Sequence, residues 1–523
     1  LFIGGDEVET TNFTVDGVEL TGGINIYNAT GVVLKNLTVN GTNYYAVWLD
    51  EGAAATIESG TYNAGDVAAF NAAKGSALAI TGGTVNTNGK TLMGTSGGTL
   101  SVSGGTFDRA VDPKHCAPGF IPQDNGDGTY GVKEGKYVAQ IGSKYYEKLA
   151  DAIAAANDGD TVTLLADATE DVVISKNITL DLGSKTLTNT NAGKATISVT
   201  GGTVTVKNGN VVGGTSYYNI EVTKGSNANL TLEGVTATAG NTGSSMIDNY
   251  GTLTITSGEY SGGLNVVKSE EGSKLTITGG TFTLEYATNG YTGVVFAYGD
   301  TTISGGEFIQ NLTTTGRWNH PTVILTGVVE GYTAITRVTG GHFVNKMSGE
   351  SIFRGVGKGT SDNFEVSGGT FNKSISDGFC ADGFIPTKNA DGTYGVKEGK
   401  YVAKIGSTKY ETLADAIRLA AKGKTITLLA NVKESVEISK NLTLDLNGYV
   451  LNLTDTSGGD SRITVEGGGN LTIIDSNPYA EHKFTPNADG LWVLDEQSGT
   501  KSVSGGVKIE TGGSLTMTGG NIA

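Results

Sequence analysis

"SKLTITGGTF", residues 273–282, reads as a short strand running into a glycine turn, and close variants recur along the chain. They are "ALAITGGTV" at 77–85, "TLSVSGGTF" at 99–107, "TTISGGEF" at 301–308 and "FEVSGGTF" at 364–371. The second glycine falls at Gly60, Gly83 and Gly105, then at Gly258, Gly280, Gly306, Gly341 and Gly369, with separations of 23 and 22, then 22, 26, 35 and 28. Three residues before it stands Ile57, Ile80, Val102, Ile255, Ile277, Ile303, Val338 or Val366, always β-branched. Two residues after it stands Tyr62, Val85, Phe107, Tyr260, Phe282, Phe308, Phe343 or Phe371, aromatic in all but one. A minimum of 22 residues with occasional surplus suits one turn of a parallel solenoid, three short strands joined by three bends. Strand alternation predicts Leu275 and Ile277 inward, Thr276 and Thr278 outward, and Phe282 stacked on its counterpart about 4.8 Å away in the next coil.

Composition agrees with such an array. The chain has 523 residues, too many for a single core, with 81 Gly and only 7 Pro, and the glycines have no three-residue period. The formal charge of −17 comes without a basic patch, which argues against nucleic acid as a partner. No apolar run approaches the length of a membrane helix, so no membrane insertion is expected. The chain opens at "LFIGGDEVETT" and stops at "SLTMTGGNIA" inside a repeat unit, so both ends of a longer protein are expected beyond it.

A longer period encloses the short one. The stretch 135–182 realigns without gaps on 399–446; Tyr137 matches Tyr401, a module of 401 − 137 = 264 residues. Leu149, Ala152, Ile153 and Ala156, repeated as Leu413, Ala416, Ile417 and Ala420, have the spacing of an amphipathic helix that would cover the open end of stacked coils. "GFIPQDNGDGTYGV" before it reads as a β-hairpin joint rather than a calcium loop. The expected organisation is therefore all-β, in tandem modules: residues 1–113 close a first module and 114–134 form a joint. Residues 135–378 form a complete module with a cap helix at 146–157, 379–398 a second joint, and 399–523 a truncated third module with a cap helix at 410–421. Cys116 and Cys380 sit at matching points of the two joints and are expected as buried free thiols.

The cap segment followed by "GDTVTLLAD" and "ISKNITLDL" resembles the N-terminal region of pectin-lyase-like right-handed parallel β-helices. The "GGTF" coils, the "CADGFIPTKNADGTYGV" joints and "VKIETGGSLTMTGG" resemble the large repetitive, adhesin-like surface proteins of Gram-positive gut bacteria. This resemblance covers nearly the whole chain and implies a right-handed parallel β-helix and an extracellular, cell-surface origin. Coils of this kind host both carbohydrate-cleaving enzymes and inert stalks.

A lyase-like or hydrolase-like site would need clustered carboxylates with a base or a basic clamp on one coil face. The sequence shows neither set, and no catalytic residue, cofactor or metal is expected. His342 in "GGHF" reads as a surface turn residue. "NLT" at 36, 229, 311, 441 and 470 follows from strand-and-turn composition. The surplus coil between Gly306 and Gly341 is more informative: "TTTGRWNHPT" at 313–322 carries Arg317, Trp318 and His320, expected on a protruding loop. A second irregular stretch, 475–499, carries Tyr479, His482 and Trp492. These six are the candidate ligand-binding residues. The expected function is a non-catalytic, monomeric, rod-like adhesin or stalk, binding host or environmental glycans or glycoproteins. The alternatives are a carbohydrate-active enzyme or polysaccharide-binding module, and a binder of host proteins such as immunoglobulins. Outward carboxylates stacked with a basic residue at matching coil positions would favour the enzyme.

Overall fold

The computed structural model describes residues 1–6, 10–94, 96–240, 243–287, 290–314, 319–452, 462–480, 484–486, 492–494 and 506–520. The chain forms two compact units, Leu1–Val212 and Gly213–Ala523. Both are nearly all-β, with long parallel sheets and one short α-helix each among the described residues.

In the first unit, three sheets grow side by side. The first contains Thr14–Asp16, Val32–Lys35, Ala54–Ile57, Ala77–Ile80 and Thr99–Val102. The second contains Glu19–Thr21, Leu37–Asn40, Gly60–Asn63, Thr84–Asn86 and Thr106–Phe107, and the third Phe2–Gly4, Ile24–Tyr27, Val47–Asp50, Ala68–Ala72 and Thr91–Met93. Ala54 is in register with Ala77 and Ala77 with Thr99, steps of 77 − 54 = 23 and 99 − 77 = 22, so every strand pairs with the one a repeat later. This parallel pairing is compatible with a β-helix.

The second unit repeats the three rows of parallel strands, counted as in the first unit, with its first and second rows forming one continuous sheet. Thr252–Ile255, Lys274–Ile277, Asp300–Ile303, Thr336–Val338 and Phe364–Val366 follow one another in the first sheet. Gly258–Gly262, Thr281–Leu284, Glu307–Gln310, His342–Asn345 and Thr370–Phe371 do so in the second. Its third sheet runs Ile220–Val222, Ile247–Asn249, Val267–Ser269, Gly290–Ala297, Asn319–Val328 and Phe353–Gly357. Leu275 and Ile277 are buried, and the rings of Tyr260, Phe282, Phe308 and Phe343 stack at successive centroid distances of 4.9 Å. The two glycines of the motif have different jobs. A Cβ on Gly279 would sit 2.4 Å from the carbonyl oxygen of Thr256 in the preceding coil, while Gly280 turns the corner at φ +102°.

Both joints are antiparallel hairpins, Phe120–Asp124 with Tyr130–Glu134 and Phe384–Lys388 with Tyr394–Glu398. In each, an aspartate accepts from a threonine two residues on: Asp127 from the Thr129 amide at 3.0 Å, Asp391 from the Thr393 amide at 2.9 Å. Cys116 and Cys380 are free, half-buried rather than buried, because each sits on a short bridge at the last coil, to Val102 and Val366. Burial still pushes both thiols up to about 11.

The cap segments contain α1, Leu149–Ala155, and α2, Leu413–Leu419. A glutamate from the coil beneath closes each N-terminus: Glu170 accepts from the amides of Leu149 and Ala150 at 2.9 and 3.0 Å, Glu434 from those of Leu413 and Ala414 at 2.8 and 2.9 Å. Lys176 donates to the carbonyls of Ala154 and Ala156 at the other end of α1. The helices are thus tied to the coils at their exposed backbone ends as well as through Leu149 and Leu413, both fully buried.

Two stability measurements follow. Phe308→Ala removes a ring stacked on both sides and should cost about 4 kcal/mol in urea unfolding, whereas outward Thr302→Ala should stay within about 0.5 kcal/mol; equal effects would contradict the stacked interior. Glu434→Ala should lower stability by about 1 kcal/mol through the loss of two helix-end acceptors.

Candidate functional site

Of the six sequence candidates, His320 is placed most informatively. The surplus of its coil is not all protruding loop: Asn319–Val328 forms a ten-residue third-sheet strand whose first residues pair with an eight-residue neighbour, Tyr291 opposite His320. His320 Nδ1 lies 2.9 Å from Glu350 Oε1, and the other Glu350 oxygen accepts from Arg354 at 2.6 Å. The Arg354 guanidinium lies 5.4 Å from the centre of the Tyr291 ring, which is itself 5.4 Å from the imidazole. Lys373 donates to the backbone carbonyl of Glu350 at 2.9 Å, and burial pulls its pKa down against the pull of the Glu350 charge. Glu350 therefore holds an imidazole, a guanidinium and a half-exposed tyrosine ring in one outward group.

The other candidates do not join it. Arg317, Trp318 and His482 lie outside the described residues. Tyr479 is 91% exposed on a turn. Trp492 belongs to Trp492–Leu494, which pairs antiparallel with Phe484–Pro486, so this part of the irregular stretch is a small hairpin. His342 is exposed, at the start of its strand rather than in the turn, in register with Glu307 and Thr370.

A second outward group in the same unit was not anticipated. Glu221, Asp248 and Lys268 are in register on adjacent third-sheet strands. Asp248 is fully buried and neither of its carboxylate oxygens receives a donor. Its side chain is within hydrogen-bonding reach of Glu270, and Glu270 forms a close ion pair with Lys268. Two carboxyl groups in contact require a proton between them. Burial, and then the Glu270 charge, push Asp248 up to about 7. Tyr218 and Tyr250 flank the pair; burial followed by the nearby carboxylates raises both phenols, Tyr250 to about 12. Lys224 lies 5.2 Å from the Tyr250 ring centre and 3.2 Å from Glu271. The signal in the sequence was faint, because the steps are unequal: 248 − 221 = 27 and 268 − 248 = 20. Among the described residues no group of three or more His, Cys, Asp or Glu is arranged to hold a metal ion, and no helix is long and apolar enough to cross a membrane.

Comparison with protein-family models, with curated proteins and with solved structures gives no significant match.

The buried pair predicts a pH dependence. Asp248 binds its proton more tightly folded, near 7, than unfolded, near about 3.9. Its contribution to stability is fully present below the unfolded value and is lost as pH rises through 7. Asp248→Asn keeps the shape without the titration, so the wild type should lose melting temperature relative to this variant between about pH 4 and 7 and run parallel to it above that. Parallel curves for the two proteins would remove Asp248 as the titrating group.

Proposed function

We propose that this chain is a non-catalytic part of an extracellular bacterial surface protein, built as tandem right-handed parallel β-helix modules, that presents binding groups to host or environmental glycans or proteins. One observation carries the reading: the inward side chains are committed to repeating ladders, exemplified by Tyr260, Phe282, Phe308 and Phe343, while rings and charges that suit recognition gather outward on the third sheets. His320, Tyr291 and Arg354, fixed by Glu350, form one such group.

Glycan and host-protein arrays probed with the whole chain test it. Binding should appear on some surface and weaken in His320→Ala and Trp318→Ala. Silence on every surface leaves only a spacer and ends the binding part of the proposal.

A second reading, a carbohydrate-active enzyme on the same coils, is favoured by the register of Glu221, Asp248 and Lys268. Stacked outward carboxylates beside a lysine are the pattern such chemistry needs, with Asp248, whose proton burial and the Glu270 contact hold, as acid. Because Asp248 is fully covered, the surrounding side chains must move before substrate reaches it. Release of sugar products from pectin or mucin glycans by the wild type, abolished in Asp248→Asn, would replace the scaffold reading with this one.

A further inference from the structure

The first unit has its own outward group on its third sheet, distant in sequence from every candidate above. Phe2, Asn25, Trp48 and Asn71 are in register on four successive strands. Two residues along the same strands, Tyr27 is in register with Asp50. The alternation of a strand places all of these on the face away from the core, where Ile26, Val47, Leu49 and Phe70 are fully buried. The result is a lattice of rings separated by polar groups. Phe2 packs beside Tyr27 at 6.3 Å between centroids, and Tyr45 meets Trp48 edge-on at 5.7 Å, with Tyr44 next to it at 6.3 Å.

Two features separate this face from an ordinary covering of the sheet. Tyr44 and Trp48 are 62% and 36% exposed, so large ring surface is left in solvent on a face that has nothing to gain from it in folding. Beside Trp48 on both sides, the side-chain oxygens of Asn25 and Asn71 are buried and accept no hydrogen bond, and Asn71 is only 1% exposed. An unspent buried acceptor is costly unless a partner arrives. The ligand that answers both features carries apolar C–H faces for the rings and hydroxyl donors for the amides. Asp50, Glu51 and Asp66 near this face work against an anionic ligand.

The placement has an internal counterpart. "TNYYAVWLD" at 42–50 and "TSYYNIEVT" at 215–223 each put a Tyr-Tyr pair directly ahead of a third-sheet strand, with the rings of Tyr217 and Tyr218 4.6 Å apart. The outward residues that follow are Trp48 and, one strand on, Asn71 in the first unit, but Glu221 and Asp248 in the second. The same local frame thus carries a neutral aromatic and amide surface in one unit and an acidic one in the other.

We propose that the outward third-sheet face of the first unit, centred on Trp48 and bordered by Tyr44, Tyr45, Asn25 and Asn71, docks an uncharged oligosaccharide whose sugar rings lie against Trp48 and its neighbouring tyrosine. This deepens the proposed display function and rests on it, by naming the ligand class and a surface for it. Trp48 and Tyr44 supply ring faces, and the two asparagines supply acceptors that open toward the ligand as it seats.

The test is titration of the whole chain with neutral gluco-, manno-, xylo- and chito-oligosaccharides, by calorimetry and by the fluorescence of Trp48, with uronic-acid oligomers as the charged comparison. Saturable binding of a neutral oligomer is expected, stronger than that of the uronic acids, and weakened about tenfold or more by Trp48→Ala but much less by Trp48→Tyr. Unchanged melting curves for both variants, expected for an outward position, assign the loss to the surface rather than to unfolding; if Trp48→Ala melts early, Tyr44→Ala supplies the same readout. A neutral oligomer bound equally by wild type, Trp48→Ala and Tyr44→Ala overturns this site while leaving the display function standing. Absence of any oligosaccharide binding overturns the site, and only silence on the host-protein array as well overturns the display function. Preference for the uronic acids, or binding of a protein alone through Trp48, also overturns it.

Discussion

The backbone hydrogen bonds between successive coils are the constraint everything else obeys. The amide of Thr278 donates to Ile255, that of Ser304 to Ile277 and that of Thr339 to Ile303, each at 2.8–2.9 Å and each one coil apart. A parallel strand has no hairpin partner within its own coil, so an isolated coil would leave these groups in water and its apolar face exposed. Pairing with the neighbour satisfies the amide and, in the same step, fixes which side chain lies over which. That is why Phe282 finds Phe308 and Ile277 finds Ile303 without any other device.

Close stacking then dictates the glycines. With coils one strand spacing apart, a corner must pass directly over the corner beneath it. At Gly305 a Cβ would lie 2.3 Å from the Thr278 carbonyl oxygen, and at Gly340 2.2 Å from that of Ser304, closer than any side chain tolerates. The adjoining glycines Gly306 and Gly341 share φ +102°, so each corner repeats the geometry of the last and the aromatic two residues later returns to the same place. The ends of such a stack lack a neighbour, and the chain meets that need differently at each: a hairpin strand pairs antiparallel with the final coil, Tyr394 opposite Phe371, and α2 with its Glu434 clamp precedes the next set of coils.

These same rules explain what the sequence discloses. Where the spacing is 22 or 23, inward positions can be counted off directly, and the β-branched residue before the glycines and the aromatic after them are both buried where expected. The helical periodicity of 149–156 and 413–420 likewise survives, trimmed to seven residues at each site because a strand, Lys144–Tyr146 or Thr408–Tyr410, runs up to the helix and a turn follows it. Outward positions resist this counting on the third sheet. Its strands follow loops of unequal length, so Glu221, Asp248 and Lys268 stand 27 and 20 residues apart and reveal their alignment only through register. His320 was legible as a functional candidate from its aromatic and charged company, but its partners Glu350 and Arg354 belong to the next coil, 30 and 34 residues on (350 − 320 and 354 − 320). Trp48 escaped because its coil has no length surplus to mark it.

The contrast between sheets has a physical origin that bears on where recognition can evolve in such a fold. In the first sheet the outward row is short and β-branched at Thr254, Thr276 and Thr302, which suits an exposed strand face, and ends in the Arg337–Glu365 ion pair. In the second, the strand begins at a glycine corner whose geometry leaves little room for change. The third sheet is bordered by loops of varying length, before Asn319 and after Val328 for example, so its outward residues and the loop residues leaning over them can change together without disturbing the inward ladders. Trp48 beneath Tyr45, Asp248 beside Tyr218 and His320 beside Tyr291 are three results of that freedom, one neutral, one acidic and one mixed in charge. A scaffold whose interior is held this rigidly by stacking can change its outer chemistry coil by coil, because outward side chains a few coils apart share no interior contact through which one substitution would constrain another.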